Sequence, residues 1–523
     1  MLFSSLIFLY VFLPSLLLLY FLFRNSIIRK YLLIIFSLVF YAWGEPIYIF
    51  LMLMVVTLNY LIGLLIDEAE NADYKRKGYL ILGISLNLLI LIFFKYIGLI
   101  INTLNLIPFI NIPNIRVKLP LGISFYIFQA LTYIVDVYRK EIVCQKKYSS
   151  LLLYVSFFPQ LIAGPIVKYK DIESELEDRT FNVDDAFSGL FRFSIGLAKK
   201  VLIANSLGKA VDILLNIQNL SRLSIWIGMV FFLLQLYFDF SGYSDMAIGL
   251  GRIFGFHYKE NFNYPYISRG ITDFWRRWHI SLSSFFREYV YIPLGGKHHL
   301  QIRNIFIVWA LTGLWHGASW NFCLWGIYFA MVLIIEKYFI GLCKNIEEKE
   351  ILNEQIRAKE QEKEQEVKQV LVEAGKQGRS RKKKTAETHV IKESFFGNII
   401  FKNTILKNTF VHVYTILVLI IGFVLFYFEN ISTIQLAYTQ MFSFATNKIN
   451  LISLSAIREN VIILILAIIG CTPLIRFVAE RISGRMNKNL VTILTTVAII
   501  VFFVLSTLSI IGDTYNPFLY FRF

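Results

Sequence analysis

Apolar runs long enough to cross a bilayer recur along this chain, and that recurrence limits its fold before any other feature does. MLFSSLIFLYVFLPSLLLLYFLF at residues 1–23 is followed by apolar segments at roughly 31–44, 46–66 and 78–102, and later by segments near 410–428, 460–478 and 490–511. As a helix, about twenty apolar residues span ~30 Å of hydrocarbon. No water reaches that depth, so every backbone N–H and C=O needs a partner within the protein, and a helix supplies them all. The chain therefore reads as an all-α polytopic membrane protein. Its first run has no basic leader and no small-residue cleavage site, so it is expected to stay in place as a retained span.

Composition excludes the soluble alternatives. Of 523 residues, 56% are hydrophobic and 16% aromatic, with a net charge of +16. The Lys and Arg sit in short groups between apolar runs, as in RNSIIRK (Arg24, Arg29, Lys30) and DEAENADYKRKG (Lys75, Arg76, Lys77). That is the pattern of cytoplasmic loops and not of a nucleic-acid face, so no nucleic-acid partner is expected. With both loops inside, the N-terminus lies outside. Cys144, Cys323, Cys343 and Cys471 stand far apart with no CxxC pair, which indicates neither a disulfide framework nor a metal site.

The organisation follows from where polarity rises. Residues 1–118 read as N-terminal transmembrane helices, 119–342 as a core, 343–395 as a charged cytoplasmic insertion and 396–523 as C-terminal transmembrane helices. The loop NTLNLIPFINIPNIRVK (102–118) is expected outside. LPLGISFYIFQALTYIVDVYRKE then carries Ser124, Tyr126, Gln129, Tyr133 and Asp136 on an apolar segment, which should face the protein interior. FFPQLIAGPIVKY, with Pro159 and Pro165 around Gln160 and Gly164, is expected to be irregular or re-entrant. In the insertion 24 of the 51 residues from Lys344 to Ser394 are charged, ending in the basic run Arg379 to Lys384. This reads as a solvated helix and basic tail with no catalytic role; contact with anionic lipid is the functional alternative. No internal repeat is visible, which weakens a transporter reading.

Polarity concentrates between Gln235 and Trp325. There Asp239, Asp245, Arg252, Asp273, Arg276, Arg277, His279, Arg287, Glu288 and His316 lie among aromatic and aliphatic neighbours. Each ionisable group at bilayer depth costs a few kcal/mol, so such groups tend to line an interior cavity or pathway.

His316 in LTGLWHGASW has Gly313 and Gly317 beside it for close backbone approach, and Trp315 and Trp320 as apolar walls. Desolvation in such a pocket favours a neutral imidazole that accepts a proton from a hydroxyl. The bland alternative is a packed histidine satisfied by backbone. His279 lies in TDFWRRWHISLSSFFREY, where Phe274, Trp278, Leu282, Phe285 and Tyr289 approximate one face of a helix. That helix is expected to start at Thr272 and Asp273, to hold an Asp273–Arg277 pair, and to let its arginines snorkel to headgroups. His279 would then orient a substrate or another group, or be structural. Asp239, Tyr243, Ser244 and Asp245 are further candidates, as are Gln129, Arg276, Trp315 and Asn321 for lining a tunnel; buried structural pairing is the alternative for the carboxylates.

FFPQLIAGP, QLYFDFSGYSDMAIGLGRIFGF, ENFNYPY, TDFWRRWHISLS, YIPLGG and LWHGASWNFCLWG, in that order over roughly 119–330, resemble the membrane-bound O-acyltransferase family, in particular its bacterial alginate O-acetyltransferase branch. The terminal NPFLYFRF is also similar, whereas the 343–395 insertion has no place in the family pattern. The resemblance implies a ring of tilted helices around a central tunnel, with 119–342 as the catalytic core. It puts the family's essential histidine on His316 and its second characteristic position, Asn in many relatives, on His279. It further implies an enzyme of the bacterial inner membrane that moves acetyl from a cytoplasmic thioester, acetyl-CoA or an acyl-carrier thioester, toward an exported polysaccharide. An extracytoplasmic SGNH-like transferase and membrane lipids would be its partners, and no cofactor would be bound permanently. Transfer of D-alanine from a carrier protein to teichoic acid is the rival within the class, a transporter the rival outside it, and a secretion scaffold the weakest reading.

Overall fold

The structure, a computed structural model, describes residues 1–523 except 116, 180, 340–403, 444–450, 513, 514 and 516–523. The charged insertion at 343–395 and the terminal NPFLYFRF therefore lie outside the described residues.

Among the described residues there are helices and no strands. Seven of the described helices are long and apolar enough to cross a membrane: Ser26–Gly44, Tyr48–Glu68, Asp73–Leu104, Arg222–Ile253, Trp320–Phe339, Asn408–Tyr427 and Lys488–Gly512. A pair bent by 63°, Ser453–Glu459 and Val461–Gly470, adds an eighth if it forms one span. The apolar segment expected to run to 478 thus ends at Gly470, and Leu474–Ser483 continues beyond Pro473 as a separate helix with no buried residue. The N-terminal run also differs from expectation. Its helix covers only Phe8–Leu22, because the residues before it fold inward: Phe3 stacks on Tyr243 with ring centroids 4.7 Å apart and packs on Phe8 and Phe40.

Arg222–Ile253 is the central pillar. Its apolar window is 78% buried, against 11–39% for the other spans. The Val183–Ala198 helix crosses it at backbone contact, since a Cβ on Gly196 would lie 2.5 Å from the Gly242 carbonyl and one on Gly249 2.5 Å from the Gly189 carbonyl. Small residues at such crossings let backbones approach where lipid offers no hydrophobic driving force. The same interface holds charges in pairs. Lys200 Nζ lies 2.7 Å from Asp239, while Arg192 and Lys199 hold Asp245 at 2.8 and 2.7 Å.

The Ile123–Tyr138 helix starts after Gly122, whose φ of 71° is left-handed, and buries Ser124, Tyr126, Gln129, Tyr133 and Asp136 as its pattern requires. In FFPQLIAGPIVKY only Phe158–Leu161 is helical, and the whole stretch is buried. Irregular backbone is tolerated at this depth because protein covers it: the Phe158 N–H donates to Ser37 Oγ at 3.2 Å and the Ile166 N–H to Ser281 Oγ at 3.0 Å.

Charged loops gather at one end of the bundle. Lys30–Glu177, Lys140–Glu70, Lys146–Asp67, Lys170–Glu141 and Lys259–Asp171 tie the loops there to each other. At the other end Lys118 pairs with Glu45 at 3.1 Å, joining the 102–118 loop to the turn after Gly44. The loops therefore alternate between ends as the charge pattern implies.

Candidate active site

The stretch TDFWRRWHISLSSFFREY does not form the single helix its apolar spacing suggests. It forms Ile271–Arg277 and Ile280–Phe286, broken at Trp278 and at His279, whose φ of 45° is left-handed. Residues from ENFNYPY hold the break open. Asn263 N–H donates to the Arg277 carbonyl at 2.9 Å, and Ile280 N–H donates to the Asn261 carbonyl at 2.9 Å. Helix ends leave such groups without intrahelical partners, and here a neighbouring loop supplies them. The expected Asp273–Arg277 pair forms, at 2.9 Å.

Breaking the helix turns His279 inward and fixes its tautomer. Asn261 Oδ1 accepts from the Ser281 N–H at 3.1 Å, so that atom is an oxygen and not the amide nitrogen. It lies 3.2 Å from His279 Nδ1 and also accepts from the Ser281 hydroxyl at 2.9 Å, so that hydroxyl, 3.4 Å from Nδ1, has no proton left to give the ring and Nδ1 carries the hydrogen. Nε2 is left with a lone pair, buried and without a partner among the described residues. Phe240 and Trp315 pack on the ring at centroid distances of 4.7 and 5.6 Å.

His316 ends the Gln301–His316 helix. Gly313 lets this helix meet the next one, because a Cβ there would strike the Phe322 carbonyl. The imidazole is walled by Trp315, Trp325 and Phe426, with centroids 4.9, 5.0 and 5.2 Å away. Trp320, expected as a wall, is 50% exposed and Trp325 takes its place.

Both imidazoles line one cavity of about 300 Å³. Arg276, Arg287, Thr272, Ser283 and Thr312 give it polar groups, and Trp275, Trp278, Phe286 and Trp309 give it apolar walls. Arg276 and Arg287 border this space, and both are also exposed at the protein surface. An adjoining cavity of about 400 Å³ shares Thr272, Arg276, Tyr291 and Trp309 and adds Gln301 and Lys337. Together they run along the Gln301–His316 helix from its imidazole toward its N-terminal, basic end. The hydroxyls are already engaged with other protein groups: Ser283 donates to the Trp275 carbonyl at 3.2 Å, Thr312 to the Val308 carbonyl at 2.7 Å and Thr272 to Glu336 at 3.3 Å.

Of the candidate residues, the structure brings His279, His316 and Arg276 together around this space, with Trp315 packed on both imidazoles. Gln129, Asp239, Tyr243, Ser244, Asp245 and Asn321 do not line it. The central helix turns Asp239 and Asp245 toward Lys200, Lys199 and Arg192, which is the structural pairing weighed as their alternative. Tyr243 stacks on Phe3, Ser244 is buried, and Asn321 donates to the Leu425 carbonyl at 3.1 Å. The amide of Gln129 is buried without partners among the described residues, on the Ile123–Tyr138 helix.

Residues 143–353 match the model of MBOAT, the membrane-bound O-acyltransferase family. The probable alginate O-acetylase AlgI of Pseudomonas putida is 35% identical over the full length of both chains. The chain belongs to the membrane-bound O-acyltransferase family. The probable alginate O-acetylase AlgI of Pseudomonas aeruginosa is 44% identical over 64% of this chain and 66% of its own length. The peptidoglycan O-acetyltransferase of Helicobacter pylori is 37% identical over 65% of this chain and 71% of its own. Teichoic acid D-alanyltransferases are more distant, with 30% identity over 42% of this chain for that of Bacillus subtilis. This membrane-bound O-acyltransferase is therefore a multi-pass enzyme of the bacterial inner membrane, and the transporter reading is set aside.

Sequence reasoning missed Asn261, Arg287 as a cavity residue, Trp325 and Lys337. ENFNYPY was visible as a motif, but only the fold shows that its first Asn grips the His279 turn.

Proposed function

We propose that this enzyme takes acetyl from a cytoplasmic thioester and passes it through the membrane for O-acetylation of an exported polysaccharide. His316 acts as general base and His279 orients or shares the proton. The observation that carries this reading is a single cavity bordered by both imidazoles, with its hydroxyls held by other groups and not by an imidazole. Such a site suits direct transfer: His316 takes the proton of the acceptor hydroxyl, the oxygen attacks the thioester carbonyl, and the thiolate leaves and is protonated. Arg276, Arg287 and Lys337 give the cavities a cationic character that complements the phosphates of acetyl-CoA or of a phosphopantetheine carrier. An extracytoplasmic SGNH-like transferase would receive the acetyl group and deliver it to the polymer, the acceptor class for which the similar alginate O-acetylases are named.

The test is His316→Ala in cells that make the polymer. Acetyl esters should disappear while the protein accumulates at its usual level; esters retained at normal protein level overturn the assignment. Labelled D-alanine reaching the surface polymer in place of acetyl would support the teichoic acid reading instead.

A further inference from the structure

We propose that Lys95 is a positioning residue for His316: with Tyr96, it caps the carbonyl end of the helix that finishes on that imidazole. The inference rests on the proposed role of His316.

Lys95 lies well inside the Asp73–Leu104 span. A lysine there costs a few kcal/mol unless partners compensate it. Among the described residues no carboxylate lies within salt-bridge reach. Its ammonium donates to the Trp315 carbonyl and, at 3.4 Å, to Ser124 Oγ. The neighbouring Tyr96 hydroxyl donates to the Leu314 carbonyl at 2.8 Å. Leu314 and Trp315 are the residues just before His316, at the helix end where carbonyls lack intrahelical donors. Gly317 follows in extended backbone, at φ −168°, so the chain does not cap itself by turning back. A cation at this end also meets the negative pole of the helix dipole.

The local backbone is shaped for the task. Ile92–Tyr96 is a π-helical segment within the span, and such bulges gather at functional sites because one extra residue per turn re-aims the side chains. The Lys95 ammonium also lies 5.9 Å from the centre of the Trp315 ring, the ring that packs on both His316 and His279. One side chain thus holds both the backbone below the first imidazole and the indole that packs on the two.

The experiment compares initial rates of polymer acetylation in cells producing the full-length wild type, Lys95→Met, Lys95→Arg, Tyr96→Phe or His316→Ala, with membrane abundance and Tm of each purified protein. Lys95→Met should lower the rate by about 10- to 100-fold at unchanged abundance and Tm, since an ångström of misplacement at a reacting group has effects of that order. Lys95→Arg, which keeps the cation, should recover most of the rate. If Lys95→Met does not accumulate, Tyr96→Phe, which deletes only the bond to Leu314, should still lower the rate several-fold. Wild-type rates in Lys95→Met, a loss there that Arg does not recover, or, where Lys95→Met does not accumulate, a wild-type rate in Tyr96→Phe, overturn the proposal while His316→Ala remains inactive. An active His316→Ala instead overturns the reading of His316, and this inference with it.

Discussion

The hydrogen bond between Asn261 and His279 decides which nitrogen of that ring faces the cavity as a base. Asn261→Ala would strand the Ser281 N–H, bound now by Oδ1 at 3.1 Å, and would leave His279 Nδ1, now 3.2 Å from Oδ1, with only the Ser281 hydroxyl 3.4 Å away, a group that donates as readily as it accepts. Stranding a buried donor costs about 1–3 kcal/mol, and the freed ring would populate the wrong tautomer. We expect Asn261→Ala to lower both Tm and the rate of polymer acetylation, and Asn261→Asp, which keeps an acceptor, to retain more of both. Equal rates in the two variants would show that the tautomer does not matter. The histidines themselves were legible in sequence, because an imidazole among apolar letters stands out at once. Their neighbours were not. Trp320 stands at i+4 from His316, but that spacing makes a wall only if the helix continues; it stops at His316, and the restart at Trp320 brings Trp325 into the wall instead. Asn261 lies 18 positions before His279 in the chain, and periodicity says nothing about a contact made by a loop folding back.

Among the elements, the broken helix at 271–286 governs the site. Its apolar letters satisfy a continuous helical face. What overrides that pattern is the loop at 261–263, which takes the backbone groups a continuous helix would use and leaves His279 at a φ of 45°. Residues without a β-branch, and Asn above all, tolerate this region best. His279→Asn should therefore accumulate and melt close to the wild type, His279→Ala should lose about 1 kcal/mol, and His279→Val should lose more, in the range of about 1–3 kcal/mol for strained backbone. Tm of the purified variants checks the order. A Val variant as stable as the Asn variant would mean that the turn is not held. The long spans behaved differently: Ser26–Gly44, Tyr48–Glu68 and Asp73–Leu104 lie where uninterrupted apolar runs put them, because in lipid the backbone has no competing partners.

At the scale of the whole molecule, the paired charges at one end do two things. They clamp the loops, and they mark a side. Partial burial raises the Glu177 carboxyl, but Lys147 at 2.7 Å, the Ser150 hydroxyl and Lys30 at 3.3 Å more than offset it and bring it from the ordinary 4.5 down to about 2. A carboxyl depressed in the folded state stabilises above its unfolded value, and that contribution is lost as pH falls from about 4.5 toward about 2. Tm should accordingly fall more steeply over that window in the wild type than in Glu177→Gln; parallel curves would remove the clamp from the account. The marking of sides bears directly on the reaction. Glu288, beside the cavity residue Arg287, pairs with Lys168 at 2.6 Å, and Arg139 donates to its carbonyl, which ties the basic end of the cavity to the charged face. A cytoplasmic donor requires that face to be inside. In spheroplasts carrying the chain with Cys144, Cys323, Cys343 and Cys471 replaced, Phe109→Cys in the opposite loop should react with a membrane-impermeant maleimide. Tyr74→Cys, beside Lys75 to Lys77, should react only after permeabilisation; both positions are exposed. The reverse labelling would open the cationic cavity to the outside, and no cytoplasmic thioester could then enter by that route.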